Sequence, residues 1–105
     1  MTTADEIVER YSDQLSELCR RTGVRRLEIF GSAAAGNFDP NHSDLDFLYE
    51  FDDVTAPDLA DRYFALSDGL QELFGRKIDL VDATSIRNPY FLKKINTQRR
   101  VLYAA

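Results

Sequence analysis

At 105 residues, with 44% hydrophobic and 30% charged residues, the chain has the composition of one globular domain, since a second core would leave each half marginal. The formal net charge of −5 excludes an extended nucleic-acid surface, because nonspecific binding there relies on lysine and arginine displacing counterions from phosphates. No apolar run approaches the ~20 residues of a membrane-spanning helix, and the start lacks a basic stretch followed by an apolar core, so a cytoplasmic location without membrane contact is expected.

Thr3 stands three residues before Glu6, the spacing of a capping box, and Ile7, Tyr11, Leu15 and Leu18 then recur at helical intervals up to Gly23. An amphipathic helix is predicted there. Cys19 falls on its apolar stripe and reads as a small core residue; as the single cysteine it has no internal disulfide partner. Arg25 to Phe30 alternates through Leu27 and Ile29 and runs into Gly31-Ser32, which reads as a strand ending in a tight turn. Ala33 to Ala35 has the composition of one helical turn, and Gly36 to His42 is rich in turn formers and reads as a loop. Asn41-His42-Ser43 matches a glycosylation sequon, which without a secretion signal carries no weight.

From Ser43 to Phe51 the alternation is clear: Leu45, Phe47, Tyr49 and Phe51 on one face, Asp44, Asp46, Leu48 and Glu50 on the other. Thr55-Ala56-Pro57-Asp58 is expected to cap and open a second helix, whose stripe of Leu59, Tyr63, Leu66, Leu70 and Leu73 runs to Gly75. Lys77 to Asp82 reads as a third strand with Ile78 and Leu80 on one side and Asp79 and Val81 on the other. Asn88-Pro89 supplies the cap and first position of a last helix, with Phe91 and Ile95 facing inward, before Val101-Leu102-Tyr103 closes the sequence. The expected fold class is α/β (α+β), one domain over residues 1–105, with helices covering one face of a three- or four-stranded sheet.

A sheet covered on one face offers its other face to solvent, where the alternation puts Asp44, Asp46 and Asp79. Residues two apart on a strand point the same way, about 6.5–7 Å apart at Cα, so their carboxylates can grip one hard cation. Mg²⁺ suits such a shelf, because it binds through one or two carboxylates plus substrate phosphates and relieves like-charge repulsion. Gly31-Ser32, at the end of the preceding strand, adds a phosphate cradle: glycine lets the backbone approach, and N–H groups and the hydroxyl can bind phosphate oxygens. Metal ions would align the attacking and leaving oxygens, and Asp79 is the carboxylate assigned to take the acceptor proton. Taken singly, a Gly-Ser turn or an Asp-x-Asp pair is usually just a solvated turn or face. The order strand, Gly-Ser turn, acidic strand, later single-Asp strand is what points to chemistry.

The run from Gly31-Ser32-Ala33 through Asp44-Leu45-Asp46 to Phe51 resembles the signature of the minimal nucleotidyltransferases of the polymerase-beta-like superfamily. Lys77-Ile78-Asp79-Leu80-Val81-Asp82 is similar to their third-carboxylate strand, and Asn88 through Tyr103 to their C-terminal helix and tail, so the resemblance covers nearly the whole chain. It implies a polymerase-beta-like fold with a small mixed sheet, Asp44, Asp46 and Asp79 as catalytic metal ligands, and Gly31 and Ser32 at the triphosphate. It further implies Mg²⁺ as cofactor, ATP or another nucleoside triphosphate as substrate, and a HEPN-type helical protein as partner, neutralised as a toxin by transfer of AMP to one of its tyrosines. The family pattern carries Arg or Lys directly before the second glycine, where this chain has Ala35 before Gly36, and Asn37 replaces a more usual acidic residue.

The alternative reading keeps the fold as a binding module that neutralises its partner by complex formation alone; Ala35 favours it, while the three aspartates favour the enzyme. A third, transfer to a small molecule such as an aminoglycoside, is weaker, because examples that resemble this fold usually carry an additional domain. Self-association is left open. His42 has no Cys or His neighbours to complete a zinc site and reads as a loop residue. Lys93, Lys94, Arg99 and Arg100 read as a solvated helix end, and Tyr103 as packing of the final segment.

Overall fold

In the computed structural model, which describes residues 4–31, 45–53, 55–96 and 99–105, the elements run α1 (Ala4–Thr22), β1 (Val24–Phe30), β2 (Leu45–Phe51), α2 (Leu59–Phe74), β3 (Ile78–Asp82), α3 (Pro89–Asn96) and β4 (Arg99–Ala104). The strands form one mixed sheet in the order β3-β2-β1-β4, with β2 and β3 parallel and the other two pairs antiparallel. The parallel pair follows from the sequence, because the helical stretch between Leu59 and Phe74 carries the chain back to start β3 beside the start of β2.

The alternation read in the strands becomes two sheet faces. Leu27 and Ile29 of β1, Leu45, Phe47 and Phe51 of β2 and Ile78 of β3 point to one side, where Leu15, Leu18 and Cys19 of α1 and Leu66 and Leu70 of α2 close over them in one buried cluster. Phe74 links the layers, stacked on Phe47 at 5.8 Å and edge-on to Tyr11 at 5.0 Å between ring centres. Tyr103 and Leu102 of β4 lean against the same cluster, as expected for packing of the final segment. Cys19 is fully buried there, and burial pushes its thiol up to about 12.

The second face is not bare. Leu48, which the alternation put on the acidic side, is buried with Phe30, and α3 covers the pair through Phe91 and Leu92, the rings of Phe30 and Phe91 meeting edge-on at 6.1 Å. An apolar patch of Phe30, Leu48 and Val81 needs cover, and a single short helix supplies it. So α1 and α2 cover one face as expected, while α3 sits on part of the other.

The helix ends follow local chemistry. Asn88 caps α3, its Oδ1 accepting hydrogen bonds from the N–H groups of Tyr90 at 2.9 Å and Phe91 at 3.4 Å. Gly75 ends α2 with φ +64, its N–H donating to the Gln71 carbonyl. The cap expected at Thr55 does not form, and α2 begins at Leu59 with Asp58 in the N-cap place. Asp53 is the reason: its Oδ1 accepts the Thr55 hydroxyl at 2.6 Å and the Thr55 N–H at 3.0 Å, committing Thr55 to the turn before the helix. Those bonds, the hydroxyl first, hold the Asp53 carboxyl below the usual carboxylate range. No helix among the described residues is long and apolar enough to cross a membrane.

Candidate active site

Two of the three candidate carboxylates come together by strand register. Asp46 of β2 is the partner of Asp79 on β3 and of Phe30 on β1, so all three share the second face of the sheet in one row across the strands. Adjacent strands lie about 4.8 Å apart, which brings the two carboxylates within reach of one small cation. Asp46 is half-buried and Asp79 exposed. Gly31 follows Phe30 at φ +76, a left-handed conformation that favours glycine. Close approach demands it as well: a Cβ there would stand 2.5 Å from Asp46 Oδ2. The turn therefore folds directly against the carboxylate it serves.

Asp44, Ser32, Ala35 and His42 lie outside the described residues, as do the loop expected from Gly36 to His42 and the Thr3 cap. Among the described residues no cluster of three Asp, Glu, His or Cys side chains could hold a metal. The pair present nevertheless fits Mg²⁺: two hard oxygen donors in register on one face, both lining one cleft.

A cleft of about 550 Å³ opens from this row, within the range of small-molecule sites. Besides Gly31, Asp46 and Asp79 it is lined by Tyr63 and Ser67 of α2 and Phe91 of α3, none of which the sequence marked as site residues. Tyr63 was legible only as part of a helical stripe, and the folding of α2 and α3 around the β3 edge is what turns it toward a site.

Sequence reasoning also missed Glu28. It is 3% exposed on the carboxylate face of β1, where Arg99 holds it side-on: Nε donates to Oε1 at 3.2 Å and Nη2 to Oε2. Arg26 Nη2 donates to Oε1 at 3.2 Å. Arg99 is thus no part of a solvated helix end. It begins β4 and is the register partner of Phe30. The available signal was a glutamate between Leu27 and Ile29, whose alternation sends it to the opposite face from the core. Lys93 is exposed, as expected of a solvated cation.

Comparison with known proteins decides the family: the model of the nucleotidyltransferase domain matches residues 12–103. The chain belongs to this family. It is 35% identical over 95 residues, 90% of this chain and 93% of the relative, to a Methanocaldococcus jannaschii protein whose name assigns it provisionally to the protein adenylyltransferases. It is 33% identical over 88 residues, 84% of this chain and 85% of the relative, to the protein adenylyltransferase MntA of Thermococcus cleftensis. The fold also matches the solved structure of a tri-AMPylated HEPN toxin of Shewanella oneidensis in complex with an MNT antitoxin, with a TM-score of 0.61 at 18% identity over 93% of this chain and 73% of that one. The minimal nucleotidyltransferase resemblance read from Gly31 to Phe51 and from Lys77 to Asp82 is therefore borne out, as is the small mixed α/β fold.

Proposed function

We propose that this single domain of 105 residues is a Mg²⁺-dependent protein adenylyltransferase, which transfers AMP from ATP to a tyrosine of a HEPN-type partner in the cytoplasm and so acts as its antitoxin. The observation that carries the reading is the row of Asp46 and Asp79 beside Gly31: two oxygen donors and a glycine turn that opens the backbone to phosphate, on one face of one cleft. Two relatives named as protein adenylyltransferases support the reaction, and the structure of an AMPylated HEPN toxin with an MNT antitoxin supports the acceptor class.

In this reading Asp46 and Asp79, joined by Asp44, hold the metal, while Gly31 and Ser32 hold the phosphate tail through backbone N–H groups and a hydroxyl. When bound, the divalent cation supplies charge neutralisation and alignment for an in-line displacement. The acceptor hydroxyl oxygen forms a bond to the α-phosphorus, the bond to the bridging oxygen breaks, and pyrophosphate leaves. Asp79, the more exposed carboxylate, takes the hydroxyl proton. The half-buried Asp46 stays against the Gly31 backbone and keeps its orientation.

The test is to purify the protein with whatever helical protein accompanies it in its own cells, and to weigh that partner before and after Mg²⁺ and ATP. A gain of one or more AMP units on a tyrosine is expected. An unchanged mass, with the partner still inhibited in the complex, would replace this reading by neutralisation through binding alone.

A further inference from the structure

Away from the carboxylate row, the rings of Tyr49, Phe51, Tyr63 and Phe64 form one cluster where α2 begins. Tyr49 lies 5.1 Å from Phe51 and 5.8 Å from Tyr63 between ring centres, and Tyr63 meets Phe64 edge-on at 5.4 Å. Together with Asp82 and Thr84 they line a second pocket, of about 490 Å³. This is not closed core: Phe64 is 61% exposed, and a large ring left in water beside three others on one pocket is a patch, not a scattered surface residue.

The chemistry of the pocket selects a cation. Aromatic faces attract ammonium and guanidinium groups, and the apolar walls suit the aliphatic stem of an arginine or lysine. The counter-charge is Asp82, the register partner of Tyr49. Its Oδ1 accepts both the Thr84 N–H at 2.9 Å and the Thr84 hydroxyl at 2.7 Å, which fixes the carboxylate and leaves Oδ2 without a partner among the described residues. Within the chain, Arg62 sits 4.8 Å over the Phe51 ring, yet it does not line the pocket, and among the described residues no cation lies over Tyr49, Tyr63 or Phe64. The net charge of −5 adds to the preference for a basic ligand.

Position ties this pocket to the reaction. Tyr63 lines both it and the carboxylate cleft, and Asp82 follows Asp79 by three residues on β3, about 10 Å along the strand. β3 is the outer strand of the sheet, so a protein lying along its edge can present one side chain to each opening. We propose that the pocket of Tyr49, Tyr63, Phe64 and Asp82 receives a basic side chain, arginine or lysine, of the protein that presents the acceptor tyrosine, and so anchors that protein over the cleft. The inference rests on the adenylyltransferase reading above, and it names how the acceptor protein is held: by a contact separate from the metal and phosphate site.

Calorimetry with the helical protein that accompanies the chain in its own cells, and separately with Mg²⁺-ATP, tests the parent, Asp82→Asn and Phe64→Ala. Asp82→Asn keeps an oxygen for Thr84 and removes only the charge. It is expected to weaken partner binding about tenfold, the low end for a hydrogen bond to a charged group, and Phe64→Ala about two- to fivefold, the range of an exposed cation–π contact. Mg²⁺-ATP affinity and the transfer rate at saturating partner should stay within about twofold of the parent, as for a contact made equally before and during the chemistry. Loss with Phe64→Ala but not with Asp82→Asn would mean an apolar anchor, unchanged partner affinity in both would take the pocket out of the interface, and a parallel loss of ATP affinity would mean a structural role; each overturns the proposal. A partner that binds with the expected losses but gains no AMP overturns the adenylyltransferase reading and leaves the anchor standing. Should a variant not fold, or no protein accompany the chain, the ring resonances of Tyr63 and Phe64 in the parent decide: they must shift with the α-N-acetyl amides of arginine or lysine and not with that of norleucine, and equal shifts sink the idea.

Discussion

The two faces of the sheet are made by the same strands and do different work. On the side covered by α1 and α2, Leu27, Ile29, Leu45 and Phe47 are buried to completion or nearly so, in one cluster of hydrophobic side chains. On the other side, the intervening residues Glu28, Phe30, Asp46 and Leu48 alternate charge with apolar patch along adjacent strands, under one short helix. The difference teaches that alternation separates stability from chemistry at a spacing of one residue. A one-residue slip of β2 against β1 would bury Asp46 and expose Phe47 together, so the register of this pair is where fold and function are fixed at once.

The sharpest way to sharpen that separation is to change one atom group on each face. Asp79→Asn is expected to lower transfer to the acceptor by roughly 10²–10⁴-fold, about 3–5 kcal/mol of barrier, while leaving the melting temperature unchanged or slightly raised, because it removes one of two facing like charges. Single-turnover transfer and a thermal melt check it; a near-parent rate would take the base role away from Asp79. Phe47→Ala on the closed face should do the reverse in kind. Phe47 is fully buried against Phe74, and its removal is expected to cost about 3–5 kcal/mol in urea denaturation. A cost below about 1 kcal/mol would mean that the α1 and α2 layer collapses onto the gap.

How much of this was legible in the sequence differs by face too. Period-2 alternation reports a single strand against a single layer, so Phe47, Leu45 and Ile29 were readable as core, and Asp46 and Asp79 as facing away from it. The same rule put Leu48 with the acids because it says nothing about a helix returning from much later in the chain to cover that side. Glu28 with Arg99 was hidden for a similar reason: the partners are 71 residues apart and meet only because β4 adds to the β1 edge. Thr55 fails as a cap because Asp53 accepts both its N–H and its hydroxyl hydrogen and so holds it in the turn before the helix, a contest between two local rules.

The second face can also be tested through its apolar part. Phe91 of α3 is half-buried on Phe30, so Phe91→Ala is expected to cost roughly half of a full phenylalanine truncation, about 1.5–2.5 kcal/mol. It also lines the cleft, so nucleotide affinity should fall along with stability, unlike Phe47→Ala in urea-free buffer. Affinity retained at the parent level would assign α3 to cover alone.

The smallest expected effect probes the closed face with pH. Burial raises the Cys19 thiol from 9.0 to about 12, because the thiolate is disfavoured in an apolar core. The unfolded chain therefore loses its proton first as pH rises. The stability that the buried thiol contributes is fully present below about pH 9 and is lost progressively toward 12. At pH 10 the loss relative to pH 7 comes to about 1.4 kcal/mol, one unit of differential protonation. Tyr49, raised above 10.0 first by burial and then by Asp82 and Tyr63, acts with the same sign only at higher pH. Urea denaturation of the parent and Cys19→Ala at pH 7 and pH 10 isolates the thiol, since every other residue is common to both proteins. The variant starts less stable at pH 7 and is expected to lose about 1.4 kcal/mol less than the parent on going to pH 10. Equal losses would mean that the thiol titrates the same way folded and unfolded, and that the face beneath α1 admits water where the packing says it does not.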